Sequence, residues 1–257
     1  EPALFAFREW IRAAVAENKP LDEFAREILT GRGSFDSNPT SAYFVVSKDP
    51  DDTLQRATQV FCGVRMLCAK CHPHPFENWL QSDYYGLHSF FNQVTTKNDP
   101  RLTGVKNAKT VTLNLAAGYS RNPRSGQLQP PRFLGGEEPE IPSTGDRREI
   151  YAKWLTTAEN PFFARSMTNR VWSYFFHRGI IDPVDDLRTT NPPINPQLLD
   201  ALTKDFVAHK FDVRHLMRRI LTSETYQRSS VSNETNAHDD MNFSRSIPRR
   251  LPAEALL

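Results

Sequence analysis

Cys68-Ala69-Lys70-Cys71-His72 gathers two thiols and an imidazole into five consecutive positions of this 257-residue chain. Thiols three residues apart on one helical turn can each add to a vinyl group on the same edge of a porphyrin. The adjacent imidazole then coordinates the iron from the proximal side. On that reading Cys68 and Cys71 anchor one covalent haem c, and His72 is the proximal iron ligand. Three other chemistries suit the same residues. A C-x-x-C pair can be a thioredoxin-like redox couple, although the flanking βαβ pattern is missing and the next residues are proline-rich. With His72 and His74 the thiols make a Cys2His2 zinc set, crowded into seven residues. A structural disulfide is the third.

Other reactive residues have plainer readings. Cys62 stands alone in an apolar helical stretch and is expected to be a small buried hydrophobe. Asp182, Asp185 and Asp186 suggest an acid–base pair or calcium ligands, against turn-capping beside Pro183, Pro192 and Pro193. Asn169 and Arg170, with Trp172 on one helix, suggest binding of a haem propionate or an acidic partner, against a buried, hydrogen-bonded Arg that holds the two parts together. Trp79, Tyr84, Tyr85, Phe90 and Phe91 can wall a cofactor pocket, bind sugar or fill a core. His209, His215 and His238 are expected at the surface or at helix ends. No Ser-His-Asp ordering, glycine-rich phosphate loop or H-E-x-x-H stands out, so enzymatic activity is left open.

Apolar spacing sets out the elements around these residues. Leu4, Phe5, Phe7, Ile11, Ala14 and Val15 predict a first helix, and Asp22 to Leu29 a second that stops at Gly31. GRGSFDSNPTSAYF reads as a loop. Leu54, Ala57, Val60, Phe61, Val64, Leu67, Cys68 and Cys71 then fall at intervals of three and four. They predict one long helix with a single core-facing stripe, begun at the acidic pair Asp51 and Asp52. His72 sits where that helix runs out, before Pro73 and Pro75. A short helical piece is expected around Trp79 to Phe91. Between Thr95 and Gly145 the character changes. VTLNLAAGYS alternates like a strand, and Pro and Gly crowd the residues after it, so a β-hairpin or extended excursion is expected. Helices return at Arg147 to Thr156, Phe162 to Phe176, Pro196 to His209 and Val213 to Glu224. Asn195 and Asp212 are their candidate caps. Ser229 to about Arg245 reads as loop.

Composition narrows the function classes. Apolar residues make up 39% and charged residues 24%, as in a soluble globular protein, and the formal net charge is only +2. No concentrated basic face is visible, which argues against binding nucleic acid through its phosphates. No stretch is long and apolar enough to span a membrane, and no signal-peptide pattern opens the chain. Three cysteines are too few for a disulfide scaffold.

The run QVFCGVRMLCAKCHPHPFENWLQSDYYGLHSFF resembles the cytochrome-c-like domain of large planctomycete-type secreted proteins. It carries that pattern at Cys68, Ala69, Cys71, His72, His74, Pro75, Phe76, Trp79, Asp83, Tyr84, Tyr85, Gly86, Phe90 and Phe91. PPRFLGG, DRREIYAKWL, NPFFARSMTNRVWSYFF, GIIDPVDDLRTTNPP, NPQLLDAL and ILTSETYQRSS resemble the C-terminal domain of unknown function of the same proteins. The resemblance implies haem c, a periplasmic or extracellular location, and further sequence on both sides. It also implies a redox partner protein or neighbouring haem domain. His74 matches the pattern, and two residues past the proximal ligand it is expected to bond a propionate or fix the turn. His88, His177, Met66 and Met167 are weak candidates for a sixth iron ligand, and the distal position stays open. The expected fold is mainly α. A helical part over 1–95 carries C-x-x-C-H, a hairpin-containing connector spans 96–145, and a helical part covers 146–257. Electron transfer or redox sensing leads. A haem or hydrolytic enzyme, and a non-haem structural or surface protein with zinc or a disulfide at Cys68 and Cys71, are the alternatives.

Overall fold

The computed structural model describes residues 2–47, 49–105, 108–142, 144–248 and 250. Helices dominate, in two groups with a small antiparallel sheet region between them, as the pattern predicts. The first group holds α1 (Pro2–Ala16), α2 (Leu21–Thr30), α3 (Ala42–Val46), α4 (Pro50–Ala57) and α5 (Gln81–His88). The second holds α6 (Arg147–Leu155), α7 (Phe163–Phe176), α8 (Pro196–Ala208) and α9 (Val213–Leu221).

Short polar side chains start four of these helices, α4, α6, α8 and α9. Asp49 accepts from the Asp52 amide at 2.8 Å, with Pro50 at the first helical position of α4. Asn195 accepts from Leu198 N at 3.0 Å to open α8, and Asp212 from His215 N at 2.9 Å to open α9. Both caps are as predicted.

Between the groups, β2 (Val94–Asn98) pairs antiparallel with β3 (Lys109–Leu113), from Val94 opposite Leu113 to Asn98 opposite Lys109. The short β1 (Gly33–Ser34) adds to the other edge of β3. A second ribbon joins β4 (Ser120–Arg121) to β5 (Leu128–Gln129). The expected hairpin is therefore β2–β3.

One core runs through both groups. Leu29, Leu54, Phe61, Phe90, Phe91, Tyr151, Phe163, Trp172 and Phe206 all belong to it. Helix α2 packs on α6, and α7 packs on α8 and α9. Phe91 meets Tyr151 edge-on, and Phe133 stacks between Phe90 and Trp154.

Two sequence expectations need correction. The long helix over Asp51 to Cys71 does not exist as one element. After α4 the chain loosens into a π-helical turn (Thr58–Cys62), reverses at Gly63, and forms a separate 3-10 turn (Leu67–Lys70). Leu54, Ala57, Phe61 and Val64 are buried as the stripe predicts, whereas Val60, Leu67, Cys68 and Cys71 are exposed. The cause is Gly63, whose φ of +68° is the left-handed conformation that ends helices. The second correction is α3, which occupies the end of the stretch read as loop.

Candidate functional site

Gly63 sets the direction of the chain into the 3-10 turn. Its carbonyl accepts from Leu187 N at 2.8 Å, which ties this reversal to the loop before α8. Met66 and Ala69 are fully buried and anchor the turn on the core. Cys71 N donates to Cys68 O at 3.3 Å and His72 N to the same carbonyl at 3.4 Å. In 3-10 geometry residues three apart eclipse one another, so Cys68 and Cys71 project on one side of the turn. Both thiols are exposed and unjoined.

Lys70, between the cysteines, turns back to the protein. Its ammonium lies 3.0 Å from Asp51 Oδ2, and its carbonyl accepts from Gln81 Nε2 at 2.9 Å and from Tyr85 OH at 3.4 Å. Asp51 Oδ1 also accepts from Tyr84 OH at 2.6 Å. Burial is the largest single influence on Asp51 and pushes its pKa up. Hydrogen bonds from Tyr84 and Lys70, with the nearby charges, together outweigh it and hold the carboxyl below its ordinary value. The first turn of α4 and helix α5 thus clasp the turn through Lys70.

His72 is exposed, with Nδ1 2.8 Å from the Pro73 carbonyl. A carbonyl only accepts, so Nδ1 carries the proton and donates it. In the neutral ring Nε2 then presents its lone pair outward. A metal-binding imidazole is commonly oriented this way. His74 is engaged differently. Its Nδ1 accepts from Phe76 N at 3.3 Å, and its amide donates to Trp79 O at 2.8 Å. Both bonds are made within the stretch between His74 and Trp79. Cys68, Cys71, His72 and His74 do not converge on one point: among the described residues, the one cluster of metal-ligating side chains lies elsewhere.

The donor set suits a covalent porphyrin better than a tetrahedral ion. It offers two accessible sulfurs on one side, and next to them an imidazole with a committed Nδ1 proton. A polar groove of about 440 Å³ begins at Pro73 and runs between Gln81, Ser82, Arg124, Gln127 and Arg132. A second hollow, about 490 Å³, lies between Trp79, Phe162, Leu187 and Pro193.

The remaining candidates serve the fold. Cys62 is fully buried, 3.8 Å from Tyr151 OH, and burial pushes its thiol up to about 12, so it stays protonated. Asp185 pairs with Arg65 at 2.6 Å and also accepts from Gln59, while Asp186 pairs with Arg188 at 3.1 Å. Asp185 thus ties the loop before α8 to the π-helical turn through Gln59 and to Arg65 beyond it, whereas the Asp186–Arg188 pair is internal to that loop. Asn169 is buried and holds both the amide and the carbonyl of Ile181, at 2.9 and 2.8 Å. Tyr84, Tyr85, Phe90 and Phe91 are core residues, and so are Met66 and Met167; Trp79 is half-buried.

One grouping escapes a reading by spacing. His88 Nδ1 lies 2.7 Å from Ser120 Oγ, and its Nε2 lies 3.7 Å from Asp51 Oδ1. This has the composition of a Ser-His-Asp triad. Ser120 is buried, however, and its Oγ also accepts from Asn92 at 3.1 Å, so the cluster fastens α5 to β4.

Residues 1–96 match the family model PSCyt2, a protein of unknown function (DUF1549). Residues 147–257 match PSD1, a protein of unknown function (DUF1553). These are by name the planctomycete cytochrome-c-like and C-terminal domain families. The stretch between the two matches holds β3 and the β4–β5 ribbon. No curated protein and no solved structure matches the chain.

Proposed function

We propose that Cys68 and Cys71 carry one haem c through thioether bonds, with His72 as the proximal iron ligand, and that the chain transfers electrons or senses redox state outside the cytoplasm. One observation carries this reading. Two exposed thiols share one side of a single turn, and the imidazole beside them keeps Nε2 free by giving its Nδ1 proton to Pro73. The family match over residues 1–96 supports it by name.

Haem c supplies a one-electron iron couple. The protein's own residues do the rest. Each thiol adds across a vinyl double bond, sulfur to one carbon and hydrogen to the other, without net redox change. The hydrogen bond from His72 to Pro73 orients the imidazole and raises the basicity of Nε2. Lys70, held by Asp51, keeps the turn fixed between its two attachment points. The partner is proposed to be a redox protein or a neighbouring haem domain, since an exposed attachment turn leaves that side of the protein accessible.

Intact mass under denaturing conditions tests the proposal on chain matured in an oxidising compartment with haem-attachment machinery. The expected result is a gain of one haem that survives unfolding and vanishes in the Cys68→Ser/Cys71→Ser variant. An unmodified mass, a loss of two hydrogens, or a metal that departs on denaturation overturns it. Reduced-minus-oxidised and carbon monoxide spectra then separate a six-coordinate carrier from a centre with an open iron position.

A further inference from the structure

The C-terminal end of α8 and the first turn of α9 meet across a tight reversal. Lys210 and Phe211 both have positive φ there, +55° and +57°. The reversal is held from several sides. Phe211 is buried against Phe206 and Phe163, its carbonyl accepts from Leu21 N at 3.1 Å, and Asn18 donates to Asp212 at 2.9 Å.

This geometry brings Asp205, His209 and His215 together, although the sequence presents the histidines as unrelated helix-end residues. His209 lies one helical turn after Asp205. The imidazoles of His209 and His215 stack with centroids 3.6 Å apart and planes 14° from parallel. His215 Nε2 sits 2.7 Å from Asp205 Oδ2, while His209 Nδ1 donates to the Asp205 carbonyl at 2.8 Å and lies 3.4 Å from Asp205 Oδ1, which leaves His209 Nε2 as its ligand atom. One ligand atom from each residue falls within 4.8 Å of the other two. All three are at least partly accessible, so an ion can enter from solvent.

We infer that Asp205, His209 and His215 form a binding site for a divalent transition metal of the zinc class. Two imidazoles and one carboxylate are a borderline donor set, suited to Zn²⁺, Ni²⁺ or Cu²⁺ and poor for Ca²⁺ or Mg²⁺, which require oxygen. Three protein ligands leave a position open for water or an external ligand. In the metal-free chain a proton bridges His215 Nε2 and Asp205 Oδ2, and a bound cation replaces it. Arg219, one turn further along α9, has Nε 3.8 Å from Asp205 Oδ2. It competes with the ion for the same carboxylate, so removing it strengthens binding. Asp212 is committed to the His215 amide and to Asn18, and so belongs to the frame of the site.

Zinc titration by calorimetry on the full chain tests this site. The Cys68→Ser/Cys71→Ser background keeps thiols from taking the ion and makes the result independent of haem attachment. Expected are one zinc per chain, a rise in melting temperature at saturating zinc, and a loss of roughly tenfold or more in affinity in His215→Ala and in His209→Ala. Arg219→Ala is expected to bind more tightly. His209 is exposed, so its variant keeps the fold, which circular dichroism verifies. Absence of zinc uptake by the folded chain, or uptake unchanged in both histidine variants, overturns the inference.

Discussion

Asp51 receives polar side chains from three directions: Lys70 at 3.0 Å, Tyr84 at 2.6 Å and His88 at 3.7 Å. Its pKa is depressed in the folded chain, so its contribution is complete above the ordinary carboxylate value of about 3.9 and fades as pH falls through the lowered one. Asp51→Asn is therefore expected to lose about 1 kcal/mol at neutral pH, with the gap to the wild type closing in acid. Urea unfolding of both chains across pH measures this. His88 acts at higher pH. Burial, the largest influence, lowers its pKa, so the unfolded chain takes up a proton first. Stability is expected to fall as pH drops below about 6.5, and His88→Gln is expected to flatten that limb. Cys68, Cys71 and His72, the residues proposed to hold haem, stand out in the sequence because they lie within five consecutive positions. The Ser120–His88–Asp51 cluster was not, because its members come from three separate elements and become neighbours only through the fold. The same holds for Asp205, His209 and His215, where the reversal at Lys210 and Phe211 creates the proximity.

At the scale of elements, Gly63 decides where the cysteine-bearing turn stands. Its backbone is left-handed, and an added Cβ would lie 2.7 Å from Leu187 Cδ1 and 2.9 Å from Ser166 Oγ. Gly63→Ala is expected to cost about 2 kcal/mol in chemical denaturation, from strained φ together with displacement of packed side chains. Haem incorporation should fall with it, because the reversal aims the turn. Apolar periodicity passed over this break. The buried positions Leu54, Ala57, Phe61 and Val64 keep helical spacing up to and just past the glycine, and nothing in a pattern of residue types reports the sign of φ. Elements with caps or strong alternation were easier: α8 and α9 begin at the polar residues that the sequence marks, and β3 overlaps the start of the alternating run at Val111 to Leu113. Helix α3 was hidden because five residues after a Gly, Ser and Pro-rich stretch carry too little periodicity to register.

On the scale of the whole molecule, the two family matches divide a chain whose core is continuous. Arg148 is the clearest link. It is fully buried in α6, pairs with Asp146 at 2.6 Å, donates to Gly31 O at 2.9 Å at the end of α2, and lies over the Phe44 ring of α3. Removing it leaves the buried Asp146 carboxylate with the amide of residue 148 but without its counter-charge, and takes the guanidinium donor from the Thr30 and Gly31 carbonyls at the end of α2. Arg148→Ala is expected to cost about 3 to 5 kcal/mol, a large share of the roughly 5 to 15 kcal/mol that holds a domain together. The same continuity bears on whether the cysteine-bearing part can stand alone. Residues 1–96 by themselves would expose the faces of Leu29, Phe90 and Phe91 that α6 and Phe133 now cover, and would lose the Leu187 contact that supports Gly63. That piece is expected to lack a cooperative melt and to carry haem, if matured, on an unfolded chain. Near-ultraviolet dichroism of the piece beside the full chain tests this, and a sharp transition in the piece would show that the cysteine-bearing turn needs nothing from the second helical group.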